Sequence, residues 1–226
     1  MSYDRTRARV EDYFDRTATR TWERLTSDAP VSRIRQTVRA GRDDMRALML
    51  TRLPRDLTGR RVLDAGCGAG QMTAELALRG AEVVAADISP SLIEIARDRL
   101  PERLRNQVTF HAGDMLEPGL GHFDHVLAMD SLIYYSKEDI AAAIGTLGRR
   151  ARENIVFTIA PRTRALMAMF YAGKIFPRSD RSPVMIPQAP AELALVHSAL
   201  GVDGALYSLG RITSGFYISA AMEWRR

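Results

Sequence analysis

Residues 62–70 of this 226-residue chain read VLDAGCGAG, and this stretch decides the fold. An apolar run that predicts a β-strand leads into a turn with three glycines, and a helical pattern follows from Gln71. Gly66, Gly68 and Gly70 allow positive φ angles and let a ligand approach the backbone closely. Such a turn indicates a nucleotide-binding site, but by itself it does not say which nucleotide binds.

The carboxylate of Asp64, two positions before the first glycine, separates the two main alternatives. It would repel the pyrophosphate of a dinucleotide, whereas it suits the ammonium group of S-adenosylmethionine, which carries no phosphate. Asp87 ends the next predicted strand, where a carboxylate accepts hydrogen bonds from ribose hydroxyls. Asp114 follows the third strand, where an aspartate in this kind of fold accepts a hydrogen bond from the adenine amino group. Together these carboxylates predict S-adenosylmethionine as the cofactor.

The predicted cofactor site extends to the neighbours of these strand ends. Cys67 is expected to be a small residue packed beside the cofactor, because no local cation would activate its thiol. The full set of predicted cofactor-binding residues is Asp64, Gly66, Cys67, Gly68, Gly70, Asp87, Ile88, Asp114, Met115 and Asp130.

Strand and helix patterns alternate on both sides of the glycine turn. Strands are predicted at 61–65, 82–86, 108–111, 125–129 and 155–159, and helices at 71–79, 89–100, 137–150 and 189–200. This alternation calls for a parallel sheet with helices on both faces. Residues 205–212 and 216–224 flank the turn 213–215 and predict an antiparallel hairpin. The expected fold is therefore α/β, a Rossmann-like class I methyltransferase with a mostly parallel sheet, a C-terminal antiparallel hairpin and an N-terminal helical lid.

One domain is expected over residues 1–226. It is divided into a helical lid at 1–56, a cofactor-binding core at 57–160, a substrate-side insertion at 161–190 and a C-terminal helix and hairpin at 191–226. Within the lid, predicted helices cover 3–25 and 31–53. The second carries an arginine stripe on one face, which is either a solvated surface or an anion-facing wall of the active site: Arg35, Arg39, Arg42 and Arg46.

The charge and composition of the chain indicate which kinds of binding partner and which cellular location to expect. The net charge of +5 and the pI of 9.7 suit acidic ligands or an anionic membrane surface, although general solubility is the alternative. No apolar run is long enough to span a bilayer and a single cysteine cannot form an internal disulfide, so a cytoplasmic protein is expected. Residues 130–133 read DSLI rather than the Asn/Asp-Pro-Pro-aromatic segment of many nucleic-acid methyltransferases, so no nucleic-acid partner is expected.

Four stretches carry a more specific resemblance. They are VEDYF at 10–14 with WER at 22–24, TVRAGR at 37–42, DSLIYY at 130–135 and RITSGFY at 211–217. In this order they resemble the magnesium-protoporphyrin IX O-methyltransferase family of chlorophyll and bacteriochlorophyll biosynthesis. The sequence departs from that pattern at Tyr134, where the family has a histidine, and at Thr26, where it has a tyrosine. Residues 173–190 also differ from the family's linker.

The resemblance implies methyl transfer to a propionate carboxylate of magnesium protoporphyrin IX. Carboxylic acids have ordinary pKa values near about 4, so the nucleophile is ionised at neutral pH and needs no general base. Tyr134, Tyr135 and Arg162, which follow the fourth and fifth strands, are the catalytic candidates, and Arg39 and Arg42 are the substrate-binding candidates. Packing under the lid is the alternative for Tyr135, and an exposed charge is the alternative for Arg162.

The remaining expectations concern partners. Magnesium enters only as part of the porphyrin, and no metal site is expected on the protein. The resemblance leaves open a contact with a magnesium chelatase subunit and a peripheral contact with the photosynthetic membrane. Residues 166–176 are apolar on more than one side, which suits a porphyrin, a membrane surface or a buried helix. The alternative function is O-methylation of a quinone or phenol, which would require a base.

Overall fold

The computed structural model describes residues 3–15, 33–164, 166–167, 185–201 and 203–226. Its helices are α1 (Tyr3–Tyr13), α2 (Arg33–Leu50), α3 (Gln71–Leu78), α4 (Pro90–Arg99), α5 (Lys137–Gly148) and α6 (Pro190–Ala199). Its strands are β1 (Arg61–Ala65), β2 (Glu82–Asp87), β3 (Val108–Ala112), β4 (Phe123–Ala128), β5 (Ala151–Ile159), β6 (Ala205–Ser214) and β7 (Tyr217–Arg225). Short 3₁₀ helices cover Glu102–Gln107 and Pro118–Leu120.

The seven strands form one sheet in the order β3-β2-β1-β4-β5-β7-β6. The first five are parallel, and β7 lies antiparallel between β5 and β6. The strand order reverses direction between β1 and β4, and open α/β sheets bind ligands at such a switch point. The expected fold class, with its parallel sheet and C-terminal hairpin, is confirmed.

Both faces of the sheet are buried, as parallel sheets require. Leu63 of β1 packs in a cluster with α5 and α6, whereas its neighbour Val62 points into a second cluster with α2 and α3. Met45 and Met49, one helical turn apart on α2, are fully buried in that second cluster. The C-terminal half of α2 is therefore part of the core.

Element boundaries differ from the sequence prediction at chain reversals. Helix α2 ends at Leu50 rather than at residue 53, and α5 ends at Gly148 rather than at residue 150. Arg150 instead donates hydrogen bonds to the carbonyls of Glu117, at 2.6 Å, and Met115. These backbone acceptors hold Arg150 outside the helix.

The hairpin turn begins two residues later and ends one residue later than predicted. Strand β6 continues through Ser214, and the turn consists of Gly215, with φ 57°, and Phe216, which is 64% exposed. The helical parts predicted in residues 16–32, together with Thr26, lie outside the described residues, as does most of the apolar stretch 166–176.

Candidate active site

One pocket lies where the carboxyl ends of β1–β4 meet. It encloses about 910 Å³ of space, counting its open mouth. Four aspartates at successive strand ends line it: Asp64, Asp87, Asp114 and Asp130. This set of hydrogen-bond acceptors fits a ligand that carries ammonium, hydroxyl and amino groups, and it would repel a pyrophosphate.

The glycine turn forms the floor of the pocket. Gly66, Gly68 and Gly70 all have positive φ angles, as predicted. The backbone N–H of Gly66 donates to the carbonyl of Ala86 at 2.8 Å, which ties the turn to β2. A side chain at Gly66 would overlap Ser131, so the backbone approaches the β4 end closely.

Gly70 and Cys67, two residues of the glycine turn, differ in their relation to the pocket. Gly70 does not line the pocket; a Cβ there would lie 3.0 Å from the Cβ of Ala96, so this glycine lets α3 approach α4. Cys67 lines the pocket and is buried, and burial raises the pKa of its thiol well above the ordinary value. The thiol is therefore protonated and unreactive at neutral pH.

Asp64 is the most buried of the four carboxylates, with 1% of its surface exposed. Its Oδ2 accepts a hydrogen bond from the hydroxyl of Thr73 at 2.6 Å. Burial raises the pKa of Asp64 to about 7, although the Thr73 hydrogen bond and the charge of Arg46 act in the opposite direction. A cation bound beside Asp64 would restore its ionised form.

Asp87 is held by backbone donors. Its Oδ2 accepts from the N–H of Gly68 at 2.8 Å and its Oδ1 from the N–H of Ser89 at 2.9 Å. Burial nevertheless raises the pKa of Asp87. Ser89 itself caps α4 by accepting from the N–H of Leu92, as expected. A carboxylate has about four lone-pair positions, so Asp87 retains capacity for further donors such as ribose hydroxyls.

Asp114 receives its donors from helix α1. The Tyr3 hydroxyl donates to Oδ1 at 2.9 Å, and Arg7 donates to Oδ2 at 2.8 Å. At the other end of α1, Asp15 accepts from the Ser91 hydroxyl at 2.7 Å. Helix α1 is thus fixed at both ends across the side of the pocket formed by β2 and β3.

The two catalytic tyrosine candidates both line the pocket. Tyr135 is buried, and its ring stacks on that of Tyr3 with centroids 4.9 Å apart. Burial raises the pKa of both Tyr134 and Tyr135 above the ordinary tyrosine value. Both phenols are therefore protonated at neutral pH, and they can serve as hydrogen-bond donors but not as bases.

The three predicted cationic site residues separate into two groups. Arg42 lines the pocket and forms an ion pair with Asp130. Arg39 does not line it. Arg162, with 47% of its side chain exposed, donates to both carboxylate oxygens of Glu192 and also lies outside the lining. Glu192 in the first turn of α6 holds this guanidinium away from the pocket, as the exposed-charge alternative anticipated.

Ile88 and Met115 line the pocket, as predicted. Several other lining residues were not among the predicted site residues. Among these, Arg46 belongs to the arginine stripe of α2. Val10, Phe14 and Ser131 belong to two of the stretches that carry the resemblance, whereas no site pattern in the sequence singled out Tyr3, Gln71 or Met72.

Histidines, metal ligands and membrane-spanning helices were the remaining expectations. None of the described residues that line the pocket is a histidine. Within the described ranges, no group of three or more His, Cys, Asp or Glu side chains is arranged to hold a metal ion. No helix in the part of the chain that the structure describes is both long and apolar enough to cross a membrane.

Comparisons with known proteins extend beyond the cofactor core. A family model described as magnesium-protoporphyrin IX methyltransferase C-terminus matches residues 128–226, and a general methyltransferase domain matches residues 62–154. The magnesium-protoporphyrin O-methyltransferase of Rhodobacter capsulatus is 59% identical over 224 residues, covering 99% of this chain and 98% of that protein. The protein of the same name from Synechocystis sp. is 31% identical, covering 95% and 94%.

A solved structure shows the same arrangement of elements. The crystal structure of magnesium protoporphyrin IX methyltransferase from Synechocystis with bound S-adenosylhomocysteine (SAH) matches with a TM-score of 0.79 and 29% identity. The match covers 96% of this chain and 98% of that one, so it includes the N-terminal helices and the C-terminal hairpin.

Proposed function

Because the chain belongs to the magnesium-protoporphyrin O-methyltransferase family, we infer that it methylates a propionate carboxylate of magnesium protoporphyrin IX, giving the monomethyl ester. It is an S-adenosylmethionine-dependent O-methyltransferase of chlorophyll and bacteriochlorophyll biosynthesis. The observation that carries this conclusion is the 59% identity over 99% of the chain. A likeness confined to residues 62–154 would support only a methyltransferase of unspecified substrate.

For the cofactor we propose one role for each strand-end carboxylate. Asp64 would receive the ammonium group of S-adenosylmethionine, Asp87 the ribose hydroxyls and Asp114 the adenine amino group. Their burial and their position around one pocket support this assignment. Asp130 completes the wall beside Asp64. The backbone at Gly66 and Gly68, with the side chains of Cys67, Ile88 and Met115, would enclose the cofactor.

The cofactor's carboxylate needs a cation, and Arg46 is our candidate. Its side chain lines the pocket, and its charge is close enough to Asp64 to lower the pKa of that carboxylate. An ammonium group at Asp64 and a carboxylate group at Arg46 would fix the amino-acid end of the cofactor in both charge and direction.

The chemistry that remains for the chain is orientation. The bound cofactor supplies a methyl group on a positively charged sulfur, and the propionate is already a nucleophile at neutral pH. Holding a carboxylate oxygen in line with that methyl group contributes up to about 7–11 kcal/mol in well-oriented reactions. We propose that the Tyr134 hydroxyl donates to the propionate or to a magnesium-bound water, and that Tyr135 keeps the wall closed.

We propose that the porphyrin lies on the β4–β5 side of the pocket. Ile133, Ala160 and Leu166 form a small apolar cluster there, and Tyr134 packs against it. Arg42, on the same side as Asp130, would pair with a propionate. Contacts with a chelatase subunit or a membrane surface stay predictions from the resemblance, and the net charge of +5 is compatible with an anionic surface.

The quinone or phenol alternative requires a group that removes a proton. Tyr134 and Tyr135 are unsuited because their pKa values are raised, and no described histidine lines the pocket. Asp64 titrates near neutrality, with a pKa of about 7, but it lies at the proposed amino-acid end of the cofactor. The pocket therefore favours a substrate that is ionised before it binds.

The test is a transfer assay with purified protein and methyl-labelled S-adenosylmethionine. The acceptors are magnesium protoporphyrin IX, its dimethyl ester as a matched control without free carboxylates, a catechol and a hydroquinone. We expect label in an ester of magnesium protoporphyrin only. Label in the catechol or hydroquinone, with none in the porphyrin, would contradict the proposal.

A further inference from the structure

Asp130 joins three structural elements at the end of β4. Its Oδ1 accepts from the hydroxyl of Thr158 on β5 and from the hydroxyl of Tyr217 on β7, each at 3.1 Å. Its Oδ2 accepts from the guanidinium of Arg42 on α2. The side chains of Arg42 and Asp130 are only 13% and 7% exposed. The carboxylate is thus surrounded by protein donors from α2, β5 and β7.

The backbone of Asp130 is also unusual. Its φ of 57° is the only positive value among the described residues other than glycine. This conformation costs free energy for a residue with a side chain, although aspartate tolerates it better than most. The backbone N–H donates to the Thr158 hydroxyl at 2.7 Å, which fixes the turn. The chain therefore retains a costly conformation that aims this carboxylate at Arg42 and Tyr217.

Helix α2 is seated directly on the tip of the β6–β7 hairpin. A Cβ at Gly41 would lie 2.7 Å from Cδ1 of Tyr217, so the helix backbone rests on the tyrosine ring. The Ser214 hydroxyl donates to the carbonyl of Thr37 at 2.9 Å, and Gly215 packs against the Thr37 side chain. The segments 37–42 and 211–217, which the sequence singled out separately, thus form one contact.

We propose that Asp130 and Tyr217 are positioning residues for Arg42, and that they hold its guanidinium in the direction that receives the substrate propionate. This inference rests on the proposed function for the identity of the anion. An unrestrained arginine side chain loses rotamer freedom when it binds an anion, and prior fixation removes that entropic cost. Burial raises the pKa of Tyr217, so its hydroxyl remains a donor to Asp130 at neutral pH.

The main test variant is Tyr217→Phe, which keeps the ring under Gly41 and removes only the hydroxyl. We expect the dissociation constant for magnesium protoporphyrin IX to rise about threefold to tenfold, while S-adenosylmethionine affinity stays within about twofold. Asp130→Asn should act in the same direction and more strongly. The control is Tyr207→Phe, since Tyr207 lies on β6 and is 53% exposed. Porphyrin binding is followed by absorbance and cofactor binding by calorimetry.

A double-mutant cycle separates positioning from general destabilisation. In an Arg42→Gln background, Tyr217→Phe should cause no further loss of porphyrin affinity, because the group it positions is absent. A full additional loss in that background would overturn the inference. So would equal losses of porphyrin and cofactor affinity, or no loss at all, in Tyr217→Phe.

A spectroscopic readout is independent of the substrate. In arginine-labelled protein, the guanidinium resonance of Arg42 is the one that disappears in Arg42→Gln. This resonance should show slow side-chain rotation in the wild type and fast rotation in Tyr217→Phe. Unchanged rotation would contradict the positioning role. If rotation changes as expected but the wild type neither binds nor methylates magnesium protoporphyrin, the proposed substrate is wrong while the positioning role stands.

Discussion

The Oδ2 atom of Asp64 lies 2.6 Å from the hydroxyl of Thr73, and this pair joins β1 to α3 under the glycine turn. One neutral donor does not offset the loss of solvent around a fully buried carboxylate, so the pKa of Asp64 is raised to about 7. The group proposed to hold the cofactor's ammonium is therefore partly protonated near neutrality when that ammonium is absent.

Cofactor affinity should consequently depend on pH. Below the Asp64 pKa of about 7, binding of an ammonium group must displace a proton, so the affinity should fall by up to tenfold per pH unit as the pH decreases. The variant Asp64→Asn should bind weakly and with little pH dependence. Calorimetry in buffers of different ionisation enthalpy would measure both the affinity and the proton released. A pH-independent affinity in the wild type would remove Asp64 from the ammonium site.

The same group affects stability without the cofactor. The folded protein binds the Asp64 proton more tightly than the unfolded chain, since the folded pKa is raised to about 7. Stability should therefore fall as the pH rises from the ordinary aspartate value of about 3.9 through 7. Thermal melts of Asp64→Asn should lack this component of the decline.

Asp87→Ala should weaken S-adenosylmethionine binding by about 1.5–3 kcal/mol, the range for a lost hydrogen bond to a charged group. It should also lower thermal stability, because the N–H groups of Gly68 and Ser89 lose their acceptor. The exposed Asp98 on α4 provides a matched control as Asp98→Ala. Unchanged calorimetric affinity in Asp87→Ala would show that Asp87 does not contact the ribose.

Arg39 and Arg42 should differ in their effects although both belong to the arginine stripe. Arg42 lines the pocket and Arg39 does not. Arg42→Gln should raise KM for magnesium protoporphyrin about tenfold to a hundredfold, with a smaller change in cofactor affinity. Arg39→Gln should change either constant by about twofold at most. Equally small effects of the two variants would show that the arginine stripe is a solvated surface.

Gly41→Ala should destabilise the protein, which reverses the usual outcome in a helix. An exposed helical glycine replaced by alanine normally gains about 1 kcal/mol. Here the new Cβ would meet Cδ1 of Tyr217 at 2.7 Å and Cβ of Ser214 at 2.9 Å. Denaturant unfolding measures the sign directly, with Gly119→Ala as the comparison, because a Cβ at Gly119 would meet no atom within 4 Å and its φ is not positive. An increase in stability for Gly41→Ala would contradict the docking of α2 on the hairpin.

The cofactor half of the site could be predicted because its signal is local. The glycine turn and the aspartates at strand ends follow from the spacing of strands and turns, and Asp64, Asp87 and Asp114 do line one pocket. The exact element ends were less predictable. Gly148 ends α5 and Ser214 remains in β6 because of contacts made by residues distant in sequence.

The contacts of the N-terminal helices and the substrate half of the site both depend on such distant contacts. No periodicity indicates that Tyr3 and Arg7 reach Asp114, or that Arg162 turns toward Glu192. The stripe on α2 suggested an anion-facing wall, but only the packing of Met45 and Met49 determines which arginines face the pocket. Side-chain direction at the lid is set by tertiary packing, which a single sequence does not display.

The pH dependence of kcat with magnesium protoporphyrin IX, in the wild type and Tyr134→Phe, tests the central claim most directly. Burial keeps the Tyr134 phenol protonated, and the propionate is ionised, so log kcat should stay flat between about pH 7 and pH 9. Tyr134→Phe should lower kcat/KM about tenfold to a hundredfold, equivalent to about 1.4–2.7 kcal/mol, without changing that profile. A rise of one decade per pH unit in the wild type, abolished in Tyr134→Phe, would show that Tyr134 acts as a base and would contradict methylation of an ionised carboxylate without general-base catalysis.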